Sequence, residues 1–213
     1  MKYEQERIKI IETALLMKKN GLIRMSGGNV SVRLSEDRIM VTPTAMDYET
    51  MELSDLVIVD NDGNIIEGSR RPTSDLKAIL YIFNHMKDIN VLIHTHQPAA
   101  VALSLVSDEL PCISTTMVDE LHGPVNVAPF TISSDEGMGI TTIEYANGSL
   151  AVILKHHGVM AFGKDFDQAL CAAIYLEESC DVYLKALSTG RQVPVLSKEQ
   201  IEAEDAPRGY YGQ

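Results

Sequence analysis

The chain has 213 residues, of which 45% are hydrophobic, and its formal net charge is −12. This acidity disfavours nucleic acids and anionic membranes as partners, because both bind basic surfaces, although local N–H groups and a metal can still hold one phosphate. The apolar runs are too short to span a membrane, the N-terminus is charged, and the three cysteines form no Cys-x-x-Cys pair, so we expect a cytoplasmic protein.

The first third of the chain is predicted to form a helix followed by short antiparallel strands. Residues 3–20 carry apolar side chains at three- and four-residue spacing, which is typical of an amphipathic helix. Residues 26–29 are small and polar and break this helix. Short apolar or alternating runs predict strands at 30–33, 38–42, 56–60 and 65–66. The turn signal at 60–63 indicates that the last two are joined as a hairpin.

The remainder alternates between helices and strands. A helix is predicted to begin at 72–75, and another begins at Pro98 because proline is favoured at the first helical position. Short strands and turns are expected from Pro111 to about residue 132. A helix is predicted near 136–146 and a long one over 167–187, with strands leading into His94 and His157 and a polar tail from 189 to 213. These elements predict a mixed, mostly antiparallel sheet with helices in one domain.

Histidines follow two apolar runs, and this pattern predicts a metal site. His94 and His96 lie two positions apart on a strand, so their side chains point to the same side. A second apolar run ends in a His-His-Gly sequence, in which we favour His157 over His156 because the following glycine lets the backbone come close. Three imidazoles with an open position are typical of catalytic zinc, and Asp75 is the candidate acidic fourth ligand. The alternative is that these histidines only satisfy hydrogen bonds in the core.

Three separate segments of small and polar residues form a candidate phosphate site. They are residues 27–29, 42–45 and 73–74, the last at a predicted helix start. Hydroxyls, an amide and free N–H groups at a helix N-terminus can together bind a phosphate. Taken singly, each segment is also explained by a turn or a helix cap.

The end of the tail holds an aromatic pair between glycines, within 209–213. Such a pair is seldom part of a core. Tyr211 therefore either belongs to a frayed terminus or folds over a site, in this subunit or a neighbour, and donates a proton there.

Six motifs together resemble the class II aldolase/adducin family. They are Gly28-Asn29-Val30-Ser31, Thr42-Pro43-Thr44, Pro72-Thr73-Ser74-Asp75, His94-Thr95-His96, His156-His157-Gly158 and Tyr211-Gly212. The resemblance covers nearly all of residues 1–213. It implies an α/β (α+β) fold, with three αβα layers and a mostly antiparallel central sheet, in a single domain. It also implies a tail, about 189–213, that covers an active site, and a C4 homotetramer whose active sites lie between subunits.

The resemblance also implies roles for individual residues. One divalent ion per subunit, zinc first and manganese as an alternative, would be held by His94, His96 and His157, with Asp75 at the family's acidic position. Tyr211 would protonate the substrate or close the site. The positions implied to bind a substrate phosphate are Gly28, Asn29, Thr44, Ala45, Thr73 and Ser74.

Two branches of the family compete as interpretations. The aldolases carry glutamate where this chain has Asp75, whereas the 4-epimerases carry aspartate there and use a second aspartate in a Thr-Thr-x-x-Asp segment, which Asp119 matches. The His-His-Gly pair, the compact length and the segment 193–201 favour the aldolase branch. Asp75 would move a proton, and Tyr211, with Asp119 as a second candidate, would act at the aldehyde oxygen.

We therefore expect a metal-dependent class II aldolase. It would cleave a (deoxy)ketose 1-phosphate, such as L-fuculose 1-phosphate or a 5-deoxypentulose 1-phosphate, into dihydroxyacetone phosphate and a short aldehyde. An L-ribulose-5-phosphate 4-epimerase that acts by retro-aldol and aldol steps is the alternative. A non-catalytic scaffold of the adducin type is the third interpretation, and the retained histidines disfavour it.

Overall fold

The computed structural model describes residues 2–206, in which nine strands form one sheet flanked by helices. The strands are β1 (Asn29–Ser35), β2 (Arg38–Val41), β3 (Val57–Val59), β4 (Ile65–Glu67), β5 (Val91–Thr95), β6 (Glu109–Leu110), β7 (Val125–Ala128), β8 (Ala151–Leu154) and β9 (Gly158–Gly163). The helices are α1 (Glu4–Lys19), α2 (Leu76–His85), α3 (Pro98–Ser104), α4 (Thr115–Leu121), α5 (Glu136–Ala146), α6 (Phe166–Leu187) and α7 (Lys198–Asp205). Within residues 2–206, no helix combines the length and the apolar character that a membrane crossing needs.

The sheet has the strand order β4-β3-β2-β1-β5-β9-β8-β7-β6. All neighbouring strands pair antiparallel except β7 and β8, which pair parallel. The predicted α/β fold with a mostly antiparallel sheet is therefore confirmed, and the one parallel pair makes the sheet mixed. The parallel pair is possible because α5 connects the two strands and carries the chain back to the starting edge.

Alternation along the central strands divides the core into two layers. On β5, Val91 and Ile93 are buried with α1, α3, α4 and α6, whereas Leu92 is buried on the opposite face with α2 and α5. This is the period-two pattern of a strand covered on both sides. Because His94 follows Ile93, its side chain lies on the face that α2 and α5 cover. The sheet thus directs this histidine towards the beginning of α2.

Three local predictions differ from the structure. The region expected to hold only strands and turns contains α4, which begins after Ser114, whose hydroxyl accepts a hydrogen bond from the N–H of Met117. The strand predicted to lead into His157 is present as β8, but it is followed by β9, which was not predicted, and His157 lies in the turn between them. The polar tail contains α7, which Ser197 and Gln200 begin as a reciprocal capping pair. All three elements are short, so they leave little periodic signal in the sequence.

Helices α2 and α5 pack closely, and Gly139 permits this approach. A Cβ atom at Gly139 would lie 2.7 Å from the carbonyl oxygen of Ala78 and 3.0 Å from the Cβ of Tyr81. Since a backbone oxygen cannot move aside as a flexible side chain can, the helices must separate to admit a methyl group. This packing sets the position of α2 relative to the loop that precedes α5.

We predict that Gly139→Ala lowers the free energy of unfolding by about 1–3 kcal/mol, the usual cost of overpacking a closed interface. Gly137→Ala is the matched control on the same helix, because a Cβ atom there meets nothing within 4 Å. The control should be neutral or should stabilise the protein by up to about 0.5 kcal/mol, since alanine favours a helix over glycine. Urea unfolding followed by circular dichroism measures both, and equal effects would contradict this account of the interface.

Candidate active site

Three imidazoles meet at one end of the central strands. His94 ends the run of apolar residues on β5, His96 lies just beyond that strand, and His157 lies in the β8–β9 turn. One nitrogen of each ring lies within 4.8 Å of the corresponding nitrogens of the other two. The Nε2 atoms of His94 and His96 are 3.1 Å apart. The structure therefore brings together the three histidines that the sequence pattern singled out.

Two glycines let the backbone segments come this close. A Cβ atom at Gly158 would lie 2.0 Å from the carbonyl oxygen of Thr95 and 3.2 Å from Cδ2 of His96. At Gly28, where φ is +72°, it would lie 2.4 Å from the carbonyl oxygen of His94. Any side chain at Gly28 or Gly158 would therefore force the backbone at that position away from the end of β5.

The environment of the three rings suits neutral nitrogen ligands. Nδ1 of His94 lies 2.9 Å from the carbonyl oxygen of Val159, so its N–H donates there and Nε2 keeps its lone pair on the side of the other rings. Burial lowers the pKa of His94 to about 4. Burial also lowers the pKa of His96 and of His157. A divalent ion of the zinc type requires such unprotonated imidazoles, and the donor set therefore fits one.

Asp75 lies beside the histidines and is held by hydrogen bonds. Its carboxylate is buried at the start of α2, where Oδ2 accepts a bond from Nδ2 of Asn29 at 2.8 Å and Oδ1 accepts one from Oγ of Ser134 at 3.0 Å. Oδ2 is 3.9 Å from Nε2 of His94, which is close enough to act on the same substrate. The role of Asp75 as a fourth ligand stays a prediction. Ser134 was missed because nothing in its local sequence marks it.

A cleft of about 220 Å³ opens next to His96 and His157. The residues predicted to bind phosphate that line it are Gly28, Thr44, Ala45, Thr73 and Ser74. Asn29, the sixth, is buried beside Asp75. Because Thr73 and Ser74 precede α2, the positive end of this helix borders the cleft. The structure thus places hydroxyl groups and a helix N-terminus next to the three imidazoles, although phosphate binding by these residues stays a prediction.

Two candidate catalytic residues are not part of this arrangement. Asp119 is exposed on α4 and does not line the cleft. Tyr211 lies outside the described residues 2–206. Their proposed roles at the aldehyde stay predictions.

Comparisons with known proteins agree over nearly the whole chain. Residues 8–184 match the family described as the class II aldolase and adducin N-terminal domain. The chain is 32% identical to the L-fuculose phosphate aldolase of Haemophilus influenzae over 194 residues, which cover 91% of this chain and 89% of that protein. It is 29% identical to the 5-deoxy-D-ribulose 1-phosphate aldolase of Bacillus thuringiensis, with all of both chains covered. A solved L-fuculose 1-phosphate aldolase superposes with a TM-score of 0.90 at 25% identity, covering 96% of each chain.

We predict that His94→Ala reduces the bound metal at least about tenfold, because a three-nitrogen site loses a central ligand. His156→Ala is the matched control. His156 lies next to His157, but it is exposed and its ring faces Phe130, with the centroids 6.4 Å apart. Elemental analysis of protein purified without chelators should find wild-type metal in the control only. Wild-type metal content in both variants would show that His94 does not hold the ion.

Proposed function

Because the chain belongs to the class II aldolase and adducin family and is a class II aldolase, we propose that it cleaves a (deoxy)ketose 1-phosphate to dihydroxyacetone phosphate and a short aldehyde. The observation that supports this most is the meeting of three neutral imidazoles and one buried carboxylate beside a cleft lined by hydroxyl groups. Two relatives are named for L-fuculose phosphate and 5-deoxy-D-ribulose 1-phosphate. Both sugars end in a methyl group, which favours lactaldehyde or acetaldehyde as the second product.

The phosphate would bind at the end of the cleft formed by Thr44, Thr73 and Ser74. Their hydroxyls and the N-terminus of α2 favour an anion there, although no lysine or arginine lines this part of the described structure. Asn29 is buried and donates one amide N–H to Asp75, so it would support the site through this carboxylate. A phosphate bound away from the reacting bond would hold the sugar so that its C3–C4 bond lies near the histidines.

The divalent ion that class II aldolases use would be held by His94, His96 and His157, with Asp75 adjacent. When bound, such an ion supplies Lewis-acid stabilisation of the negative charge that develops on the substrate as the bond breaks. Zn²⁺ is our first choice because it prefers nitrogen ligands in a tetrahedral set, and Mn²⁺ is the second. Asp75 would move the proton at the substrate hydroxyl or at C3. Its burial and its two hydrogen bonds hold the carboxylate in one orientation for this step.

Incubation of the metal-loaded protein with L-fuculose 1-phosphate and with 5-deoxy-D-ribulose 1-phosphate tests the proposal. Released dihydroxyacetone phosphate can be followed by its NADH-dependent reduction. If neither sugar, nor any other ketose 1-phosphate, releases triose phosphate, the aldolase proposal is wrong. The 4-epimerase alternative, which an aspartate at position 75 and the Thr-Thr-x-x-Asp sequence that ends in Asp119 favour, predicts instead that L-ribulose 5-phosphate is converted to its C4 epimer without release of a fragment.

We predict that Asp75→Asn lowers kcat by roughly 100- to 10,000-fold, the range expected for removal of a general acid or base. KM should change by less than about threefold, because the hydroxyl groups proposed to hold the phosphate belong to other residues, Thr44, Thr73 and Ser74. Asp88→Asn is the control, since Asp88 is exposed and lies beyond the end of α2. Steady-state kinetics of both variants measure the effect, and a wild-type kcat in Asp75→Asn would remove this residue from the mechanism.

We propose that Tyr211 closes over the site and protonates the aldehyde oxygen. Tyr211→Phe should then lower kcat about 100-fold or more while KM changes little. Tyr210→Phe, which removes the neighbouring hydroxyl, is the control and should behave as the wild type. If the two variants have the same kinetics, the tail contributes no catalytic hydroxyl.

We also propose a C4 homotetramer in the cytoplasm. Three large apolar side chains in segments that border the cleft are exposed, namely Met25 at 79%, Phe130 at 65% and Ile132 at 70%. A surface of this kind is expected where another subunit packs. Light scattering tests the assembly, and a mass near that of one chain, 23.5 kDa, would exclude it.

A further inference from the structure

The carboxylate of Asp75 is held from two sides by residues that are distant in the sequence. Asn29, at the start of β1, donates to Oδ2 at 2.8 Å. Ser134, in the loop between β7 and α5, donates to Oδ1 at 3.0 Å across 59 positions of the chain. Two donors on different oxygens fix the plane of the carboxylate, which a single bond would leave free to rotate.

The orientation of the Asn29 amide is determined by this contact. Its Oδ1 atom is buried and has no hydrogen-bond partner among the described residues. If the amide were rotated by 180°, Oδ1 of Asn29 would take the place of Nδ2, 2.8 Å from Oδ2 of Asp75. Both oxygens are acceptors and would repel each other. The fold therefore tolerates an unpaired buried carbonyl in order to keep an N–H group on Asp75.

Ser134 adopts a backbone conformation that is unfavourable for its residue type. Its φ is +66°, in the left-handed region where residues with a side chain are uncommon and glycine is favoured. The next residue, Asp135, accepts a bond from the N–H of Glu136 and caps α5. Glycine would adopt this conformation without strain, but it would lack the Ser134 hydroxyl that donates to Asp75.

We propose that Ser134 is a positioning residue that, together with Asn29, fixes the carboxylate of Asp75 for proton transfer. This inference rests on the proposed function. An aspartate has only two side-chain torsions and reaches less far than a glutamate, so the direction of its free lone pairs decides whether it meets the substrate. Ser134 would then act through Asp75, whereas the phosphate would bind at Thr44, Thr73 and Ser74.

Ser134→Gly tests this role with little risk of unfolding, because glycine relieves the positive φ. We expect its urea midpoint to equal or exceed that of the wild type, its kcat to fall about 10- to 100-fold, and its KM to change by less than about threefold. Ser134→Ala, which keeps the strain and loses the hydroxyl, should show the same fall in kcat. Asn147→Gly is the matched control, since Asn147 also has a positive φ, of 45°, but lies exposed at the opposite end of α5. It should keep the wild-type kcat, and a wild-type kcat in both Ser134 variants would overturn the inference.

A double-mutant cycle provides a readout that does not depend on turnover. Urea midpoints of the full-length wild type, Ser134→Ala, Asp75→Ala and the double variant should be non-additive, because the hydroxyl has no carboxylate to bind once Asp75 is removed. Additive shifts would overturn the inference. A wild-type protein that releases no dihydroxyacetone phosphate, but whose cycle is non-additive, would overturn the proposed function and leave the contact between the two side chains established.

Discussion

The pairing of β5 with β9 is the constraint on which the site depends. His94 pairs with Met160 and Thr95 with Val159, so the turn that carries His157 lies next to the end of β5. The missing side chain of Gly158 makes this register possible, because any Cβ there would overlap the carbonyl of Thr95. The bond from Nδ1 of His94 to the carbonyl of Val159 ties one ring to the same pair of strands. The distances among the three imidazoles are therefore set by main-chain geometry more than by side-chain choice.

The second half of the site comes from the helical layer that covers this end of the sheet. Because side chains alternate along β5, His94 lies on the face covered by α2 and α5. Asp75, at the start of α2, therefore lies beside His94. The absence of a side chain at Gly139 keeps α5 against α2, which in turn holds the loop with Ser134 over the carboxylate. A change in the α2–α5 distance would therefore alter the hydrogen bond between Ser134 and Asp75. It would do so although Ala78, Tyr81 and Gly139, which meet where the two helices pack, do not line the cleft.

The parts of the fold that could be predicted are those with local periodicity. The alternation around His94, the buried apolar face of α2 and the apolar face of α6 each extend over enough residues to be recognised. The remainder depends on contacts between distant positions. The parallel pairing of β7 with β8 is set by the α5 connection, and α4 has too few turns to show a period. Ser134 is recognised as part of the site only by its hydrogen bond to a residue 59 positions away. The sequence around a loop serine does not show whether it has such a partner.

The distribution of residues also bears on the two reactions that the family resemblance left open. Breaking the C3–C4 bond requires a held phosphate, stabilised charge and a proton acceptor, and the described cleft brings together candidates for all three at His96, His157, Thr44 and Asp75. An aldolase and a 4-epimerase share this step. In an aldolase the aldehyde leaves, whereas in a 4-epimerase it rotates and is joined again. The groups that contact the aldehyde determine which of these happens. In a 4-epimerase the phosphate is carried by the aldehyde fragment, so a phosphate site alone does not decide between release and rejoining. Asp119, which matches the second aspartate of the epimerase pattern, is exposed on α4 and does not line the cleft. This position, together with relatives that are named as aldolases, favours the aldolase.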